Sequence, residues 1–205
     1  MQLTQNFDST ELATSSGELN IDIAYILTLQ AWRSWLGVPL YFGKGCGCRY
    51  PKWQRTYEEG CWHWSKSAHN IYMPMSGEET NPNANDDNLW QTIPATASDP
   101  HAKKYDSWGL MAKLEEFMEI TNERLFISDS NANDLLTIDN PIFTGRGVYP
   151  DTNSQCIHID MGHRSLNPAI RDKRQEVKRW VRVKGVYHYA RQGEGFKELR
   201  ERLGL

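Results

Sequence analysis

The stretch Ser154-Gln155-Cys156-Ile157-His158-Ile159-Asp160-Met161-Gly162 constrains this chain most. It is short, apolar at alternate positions and bounded by turn residues, which is the pattern of a buried strand. Alternation puts Ile157 and Ile159 on one face, and Cys156, His158 and Asp160 on the other. A His and an Asp two positions apart on one face can point into a single site. The same pattern also fits a plain core strand with a hydrogen-bonded histidine. Just upstream, Gly145-Arg146-Gly147-Val148-Tyr149-Pro150-Asp151 is a Gly-rich approach ending in a turn.

The elements around this strand mix helix and sheet. Asp8 can cap a short helix, with Glu11 as its capping-box partner. Asn20 or Asp22 can cap the next one, in which Tyr25, Leu29, Trp32 and Leu36 form one apolar face, ended by Gly37. Leu110, Leu114 and Phe117 mark a second amphipathic helix near 109–124. Strands are expected at Leu40–Phe42, within Ser65–Gly77, at Leu125–Ile127 and Leu135–Ile138, and over Trp180–Tyr189. Residues 77–107, rich in Asn, Asp, Pro, Thr and Ser, read as one long surface loop. A short amphipathic helix closes the chain from Phe196.

At 205 residues with 39% apolar content, one domain with an appendage is expected. Charge is divided unevenly along it. From Arg164 onward there are 12 Lys and Arg against 5 Asp and Glu, a balance of +7, while the rest carries 11 against 21, or −10. A basic tail on an acidic body suits an anionic partner, a neighbouring subunit or the body itself. Residues 1–164 are therefore expected as the main domain and 165–205 as a basic extension of a strand and a short helix. No apolar run of membrane-spanning length occurs, and the N-terminus lacks a basic-then-apolar leader. The expectation is synthesis in the cytoplasm without a signal peptide, with no membrane partner.

Other groupings carry less. Cys46, Cys48, Cys61 and His63 could form a Cys₃His metal site, though the spacing departs from the usual C-x-x-C knuckle, and reduced thiols filling an aromatic-rich region fit as well. His163 could add a ligand at the strand end or lie in a solvent-facing loop. Trp53, Trp62 and Trp64 could line a groove or fill a core. The basic residues from Arg171 to Lys184 show no recognised nucleic-acid motif, so nucleic acid is not expected as a partner. Gly43-Lys44-Gly45-Cys46-Gly47 lacks the spacing of a phosphate-binding loop.

Four separated segments, in order, resemble the zinc peptidases of the D-Ala-D-Ala carboxypeptidase and Hedgehog-like fold, in the small form often encoded by bacteriophages. Leu3-Thr-Gln-Asn-Phe-Asp-Ser-Thr-Glu-Leu-Ala-Thr-Ser is similar to an opening "LTxNFxxxEhxxS". Leu36-Gly-Val-Pro-Leu followed by Cys46-Gly-Cys-Arg49-Tyr-Pro is similar to "lGxPhxhxSGYRxP". Ser65-Lys-Ser-Ala-His69 sits where "SxH" stands, and Gly147-Val-Tyr-Pro with Ile157-His158-Ile-Asp160-Met-Gly is similar to "GxYPxxxFVHVDVG". The resemblance implies an α+β domain in which a small antiparallel sheet, packed against helices, carries His69 and His158 on neighbouring strands. It implies zinc as the cofactor, His69 and His158 as imidazole ligands, and Arg49 as a clamp for an oxyanion or a substrate carboxylate. Asp160 is a candidate catalytic base or a structural hydrogen-bonding residue.

Two departures shape the functional expectation. The family writes "HxxGxAxD" around its first His, and here Ser76 takes the place of the carboxylate ligand, with Asp86 or Asp87 as replacements from the loop. Gln155 stands three residues before His158, where a carboxylate base is expected. A site lacking both carboxylates binds zinc weakly or not at all. The first expectation is therefore a catalytically degenerate murein-peptidase-like domain, serving as a structural or binding component of a bacteriophage particle and partnering other virion proteins, with oligomers as an option. The alternative is an active zinc-dependent peptidoglycan peptidase of the carboxypeptidase or endolysin type.

Overall fold

The computed structural model describes residues 3–8, 11, 20–42, 68–69, 72–74, 90–121, 124–128, 135–139 and 142–205. The chain is α+β, as expected. Among the described residues the longer helical elements are α1 (Ile23–Leu36), α2 (Ser107–Thr121), the single turn α3 (Pro168–Arg171) and α4 (Phe196–Leu203). Three strand pairs stand apart from the main sheet: β1 (Tyr41–Phe42) with β5 (Pro100–His101), β2 (Tyr72–Pro74) with β3 (Trp90–Thr92), and β6 (Arg124–Ser128) with β7 (Leu135–Asp139). The main sheet has five strands: β4 (Ala97–Ser98), β8 (Gly145–Val148), β9 (Ile157–Asp160), β10 (Lys178–Val183) and β11 (Val186–Tyr189), in the order β11-β10-β8-β9-β4.

Local chemistry explains the helix boundaries. The Asp22 carboxylate accepts the Tyr25 N–H at 2.9 Å and starts α1, and Gly37 ends it in the left-handed conformation at φ 69°. Asp8 and Glu11 form the reciprocal pair read from the sequence, with N–H donations of 3.2 Å to Asp8 and 3.0 Å to Glu11. One face of the main sheet then packs on the helices. Tyr25, Leu29, Trp32 and Leu36 of α1 and Leu110, Leu114 and Phe117 of α2 share a core with Val148, Ile157, Ile159 and Val181 of the sheet. The other face is left for polar side chains.

Several expectations change. The sheet is mixed rather than antiparallel, because β10 joins β8 in parallel. The run Trp180–Tyr189 is a hairpin rather than one strand: Lys184 and Gly185, at φ 50° and 80°, supply the two left-handed residues of a tight turn between β10 and β11. The 77–107 stretch is not all loop, since β3, β4, β5 and the start of α2 fall inside it. His69 lies in a turn instead of a strand.

Residues 165–205 supply β10, β11 and α4 to the same sheet and core. Val181 and Leu199 are fully buried in it. On the helix-facing side, Arg146 of β8 and Arg179 of β10 are direct cross-strand partners. Two like charges there would repel, but Glu115 of α2 bonds to both guanidinium groups. Burial works against that carboxylate, and the Arg146 and Arg179 charges outweigh it, holding its pKa below the ordinary value.

Candidate metal centre

The site is built on the sheet face turned away from the helices. β9 presents His158 and Asp160 there, and its partner β8 presents Gly147 and Gly145 directly opposite them. The absent side chains are the reason for these glycines. A Cβ at Gly145 would overlap the Asp160 carboxylate, and one at Gly147 would overlap the Trp180 indole of β10. The indole can therefore lean across the bare strand until its ring lies 5.0 Å from that of His158.

Two further residues arrive from the other side. β4 pairs with β9 through Ala97 and Asp160 and through Ser98 and Ile159. Ser98 turns to the core, where its hydroxyl bonds the Tyr25 hydroxyl. Alternation then sends Ala97 and the next residue but one, Asp99, to the site face. His69 is held by its neighbour: the Thr96 N–H donates to the Ala68 carbonyl at 2.9 Å, fastening the His69 turn to the start of β4.

His69, Asp99 and His158 converge there. His69 Nε2 is 3.0 Å from His158 Nδ1, His158 Nδ1 is 2.9 Å from Asp99 Oδ1, and His69 Nε2 is 3.4 Å from Asp99 Oδ1. Three donors each about 2.0–2.1 Å from one tetrahedral ion would be about 3.3 Å apart. Two imidazoles and a carboxylate at these separations fit a divalent metal.

The electrostatics fit the same reading. Burial disfavours a charged His158, yet carboxylates face both ring nitrogens, Asp160 at Nε2 and Asp99 at Nδ1, and raise its pKa to about 9. Without metal, a proton on Nδ1 stands where a cation would stand. Burial likewise opposes ionisation of Asp99, but the His69 charge and hydrogen bonds from His158 and His69 hold it well below the ordinary carboxyl value. Tyr149 follows β8 on the same face; burial and then the Asp99 and Tyr187 charges push its pKa up, so it keeps its proton.

Asp160 has a different part from the triad. It is fully buried, and its Oδ2 faces His158 Nε2 at 3.0 Å and Arg174 Nε at 3.2 Å. Its Oδ1 accepts the Gly162 N–H at 2.8 Å. Burial raises its pKa, but the His158 and Arg174 contacts prevail and bring it to about 2. With both oxygens engaged, it orients His158 from the side of the ring away from Asp99, as metal-ligating imidazoles commonly require.

The structure thus brings together His69 and His158, as expected from the sequence, and adds Asp99. His163 stays apart, with Nδ1 3.3 Å from the Thr144 hydroxyl. Arg49, Cys46, Cys48, Cys61, His63, Ser76, Asp86, Asp87, Trp53, Trp62 and Trp64 lie outside the described residues. Asp99 had a signal in the sequence. Ala97-Ser98-Asp99 matches the "AxD" end of the pattern named in the resemblance, with Asp99 seven places after His69, once residues 70–92, which include the β2–β3 pair, are taken as an insertion after His69. No protein-family model, curated protein or solved structure matches the chain.

Proposed function

We propose that this chain is a zinc-dependent peptidase acting on the D-Ala-ended stem peptides of peptidoglycan. The observation that carries the reading is Asp99: a carboxylate meets both imidazoles, so the ligand that a Ser at position 76 lacks is present just past the end of β4. His69, Asp99 and His158 would hold the metal. When bound, zinc supplies a Lewis acid for a peptide carbonyl and lowers the pKa of a coordinated water. The chain's own residues do the rest. Asp160 and Arg174 fix the His158 ring, Trp180 keeps water from its flank, and Tyr149, held in its protonated form, has an O–H to donate to a carbonyl oxygen at the site.

A second reading is favoured by Gln155. This residue is exposed and occupies the place where the resemblance expects a carboxylate base. On that reading the centre holds metal and binds a target without cleaving it, as a component of a phage particle. Elemental analysis of purified protein together with an assay of D-Ala release from peptidoglycan separates the two. The peptidase reading expects about one zinc per chain, D-Ala release, and loss of both in Asp99→Ala. Stoichiometric zinc without release supports the binding component. Protein that stays metal-free after dialysis against zinc removes both.

A further inference from the structure

We infer that the β10–β11 hairpin is the wall of this site that anchors the sugar end of a muropeptide, an inference that rests on the peptidoglycan reading above. The register places one row of side chains across the sheet. Tyr189 of β11 pairs with Trp180 of β10, Trp180 with Gly147 of β8, and Gly147 with His158 of β9. Cross-strand partners share a face, so Tyr189 and Trp180 lie on the face of the triad. Ring contacts agree: His158 to Trp180 is 5.0 Å and Trp180 to Tyr189 is 6.3 Å. Two positions along β10, Arg182 pairs with Tyr187 and its guanidinium lies 5.8 Å from that ring.

This row changes character along its length. Trp180 is buried beside the triad, whereas Tyr187 and Tyr189 are 49% and 61% exposed at the sheet edge. Exposed tyrosines on an edge strand, next to a buried indole, offer flat faces for the apolar sides of sugar rings. The charge fits an acidic ligand. Arg174 lies over Trp180 at 5.3 Å, and Arg182 forms no ion pair with a carboxylate among the described residues. Tyr149 follows Val148 at the end of β8 and so falls on the same face as Gly147, with its N–H bonded to the Cys156 carbonyl at 3.2 Å.

Length selects the ligand. Three strand spacings separate His158 on β9 from Tyr189 on β11, about 14 Å. Four extended residues span about 13–14 Å. A stem whose fourth peptide bond lies at the triad therefore places its first residue, and the sugar attached to it, at Tyr187 and Tyr189. The acidic stem side chains pass Arg182 and Arg174. The occupant is a disaccharide-peptide, and the hairpin sets the preference for sugar-linked over free peptide.

The test uses the full chain loaded with zinc and a disaccharide-tetrapeptide, which already lacks the bond to be cut. Isothermal titration compares wild type with the double variant Tyr187→Ala, Tyr189→Ala and with Arg182→Gln, checked by elemental analysis and circular dichroism. The expected result is binding of the disaccharide-tetrapeptide weakened about tenfold or more in the variants, with zinc content retained. Wild type should also bind it more tightly than the free tetrapeptide. Equal affinity across wild type and variants, or no preference for the sugar-linked form, overturns the inference. Hairpin-dependent binding by a protein that releases no D-Ala supports the wall while refuting the peptidase.

Discussion

His158 concentrates the chemistry of this molecule in one ring. Asp160 fixes Nε2 as a donor, so Nδ1 is the atom left to face Asp99 and His69. In the metal-free protein the ring is held protonated, its pKa raised from 6.5 to about 9. A raised folded-state value stabilises the fold fully below the unfolded value of 6.5, and that contribution is lost as pH rises through about 9. Asp160 acts at the other end: lowered from 3.8 to about 2, its contribution is present above 3.8 and is lost as pH falls through about 2. A metal on Nδ1 must displace the proton. Apparent zinc affinity should therefore fall about tenfold for each unit of pH below about 9. Thermal unfolding with chelator and with zinc, from pH 6 to 10, should show a zinc-induced rise in Tm that grows with pH. An increment independent of pH would place the metal elsewhere.

At the scale of elements, strands and helices are held by different devices, and this decides what was readable in the sequence. α1 and α2 were readable because each buries a helical stripe: Tyr25, Leu29 and Trp32 in one, Leu110, Leu114 and Phe117 in the other. β9 was readable from Ile157 and Ile159 alternating with His158 and Asp160, and the convergence of His158 with His69 followed from the resemblance. β4 and β5 were not, since two residues are too few to alternate and their identity rests on ladder bonds to β9 and β1. Asp99 sits between them and was missed with them. The Glu115 bridge was equally invisible, because it joins α2 to Arg146 and Arg179, which lie far along the chain. Glu115→Gln should leave the buried Arg146 facing Arg179 without a counter-charge. A loss of about 2–4 kcal/mol is expected by denaturant titration, whereas Lys113→Gln, which loses an exposed contact to Glu116 and a distant one over the Trp35 ring, should change little. Equal effects would mean that the bridge holds nothing together.

At the scale of the whole molecule, the boundary at residue 164 becomes the deciding question. Charge and family resemblance both change there, which made 165–205 look like an appendage. In the fold, that segment lies against β8, fills the core with Val181 and Leu199, and sends Arg174 to Asp160 and Trp180 to the His158 ring. Removing it would expose β8 as a sheet edge, bare the buried faces of Val148 and Ile157, and strip two supports from the metal centre. A chain ending at Arg164 is therefore expected to lose cooperative unfolding, to aggregate through its new edge, and to bind zinc 10–100-fold more weakly than the full chain at best. Circular dichroism melts, gel filtration and zinc titration of the two lengths check this. A monomeric 1–164 chain that unfolds cooperatively and binds zinc with full affinity would restore the appendage. The Arg174→Gln variant in the full chain then isolates one part of the effect, because it leaves the strands in place and removes the guanidinium's contacts to Asp160 and to the Trp180 ring.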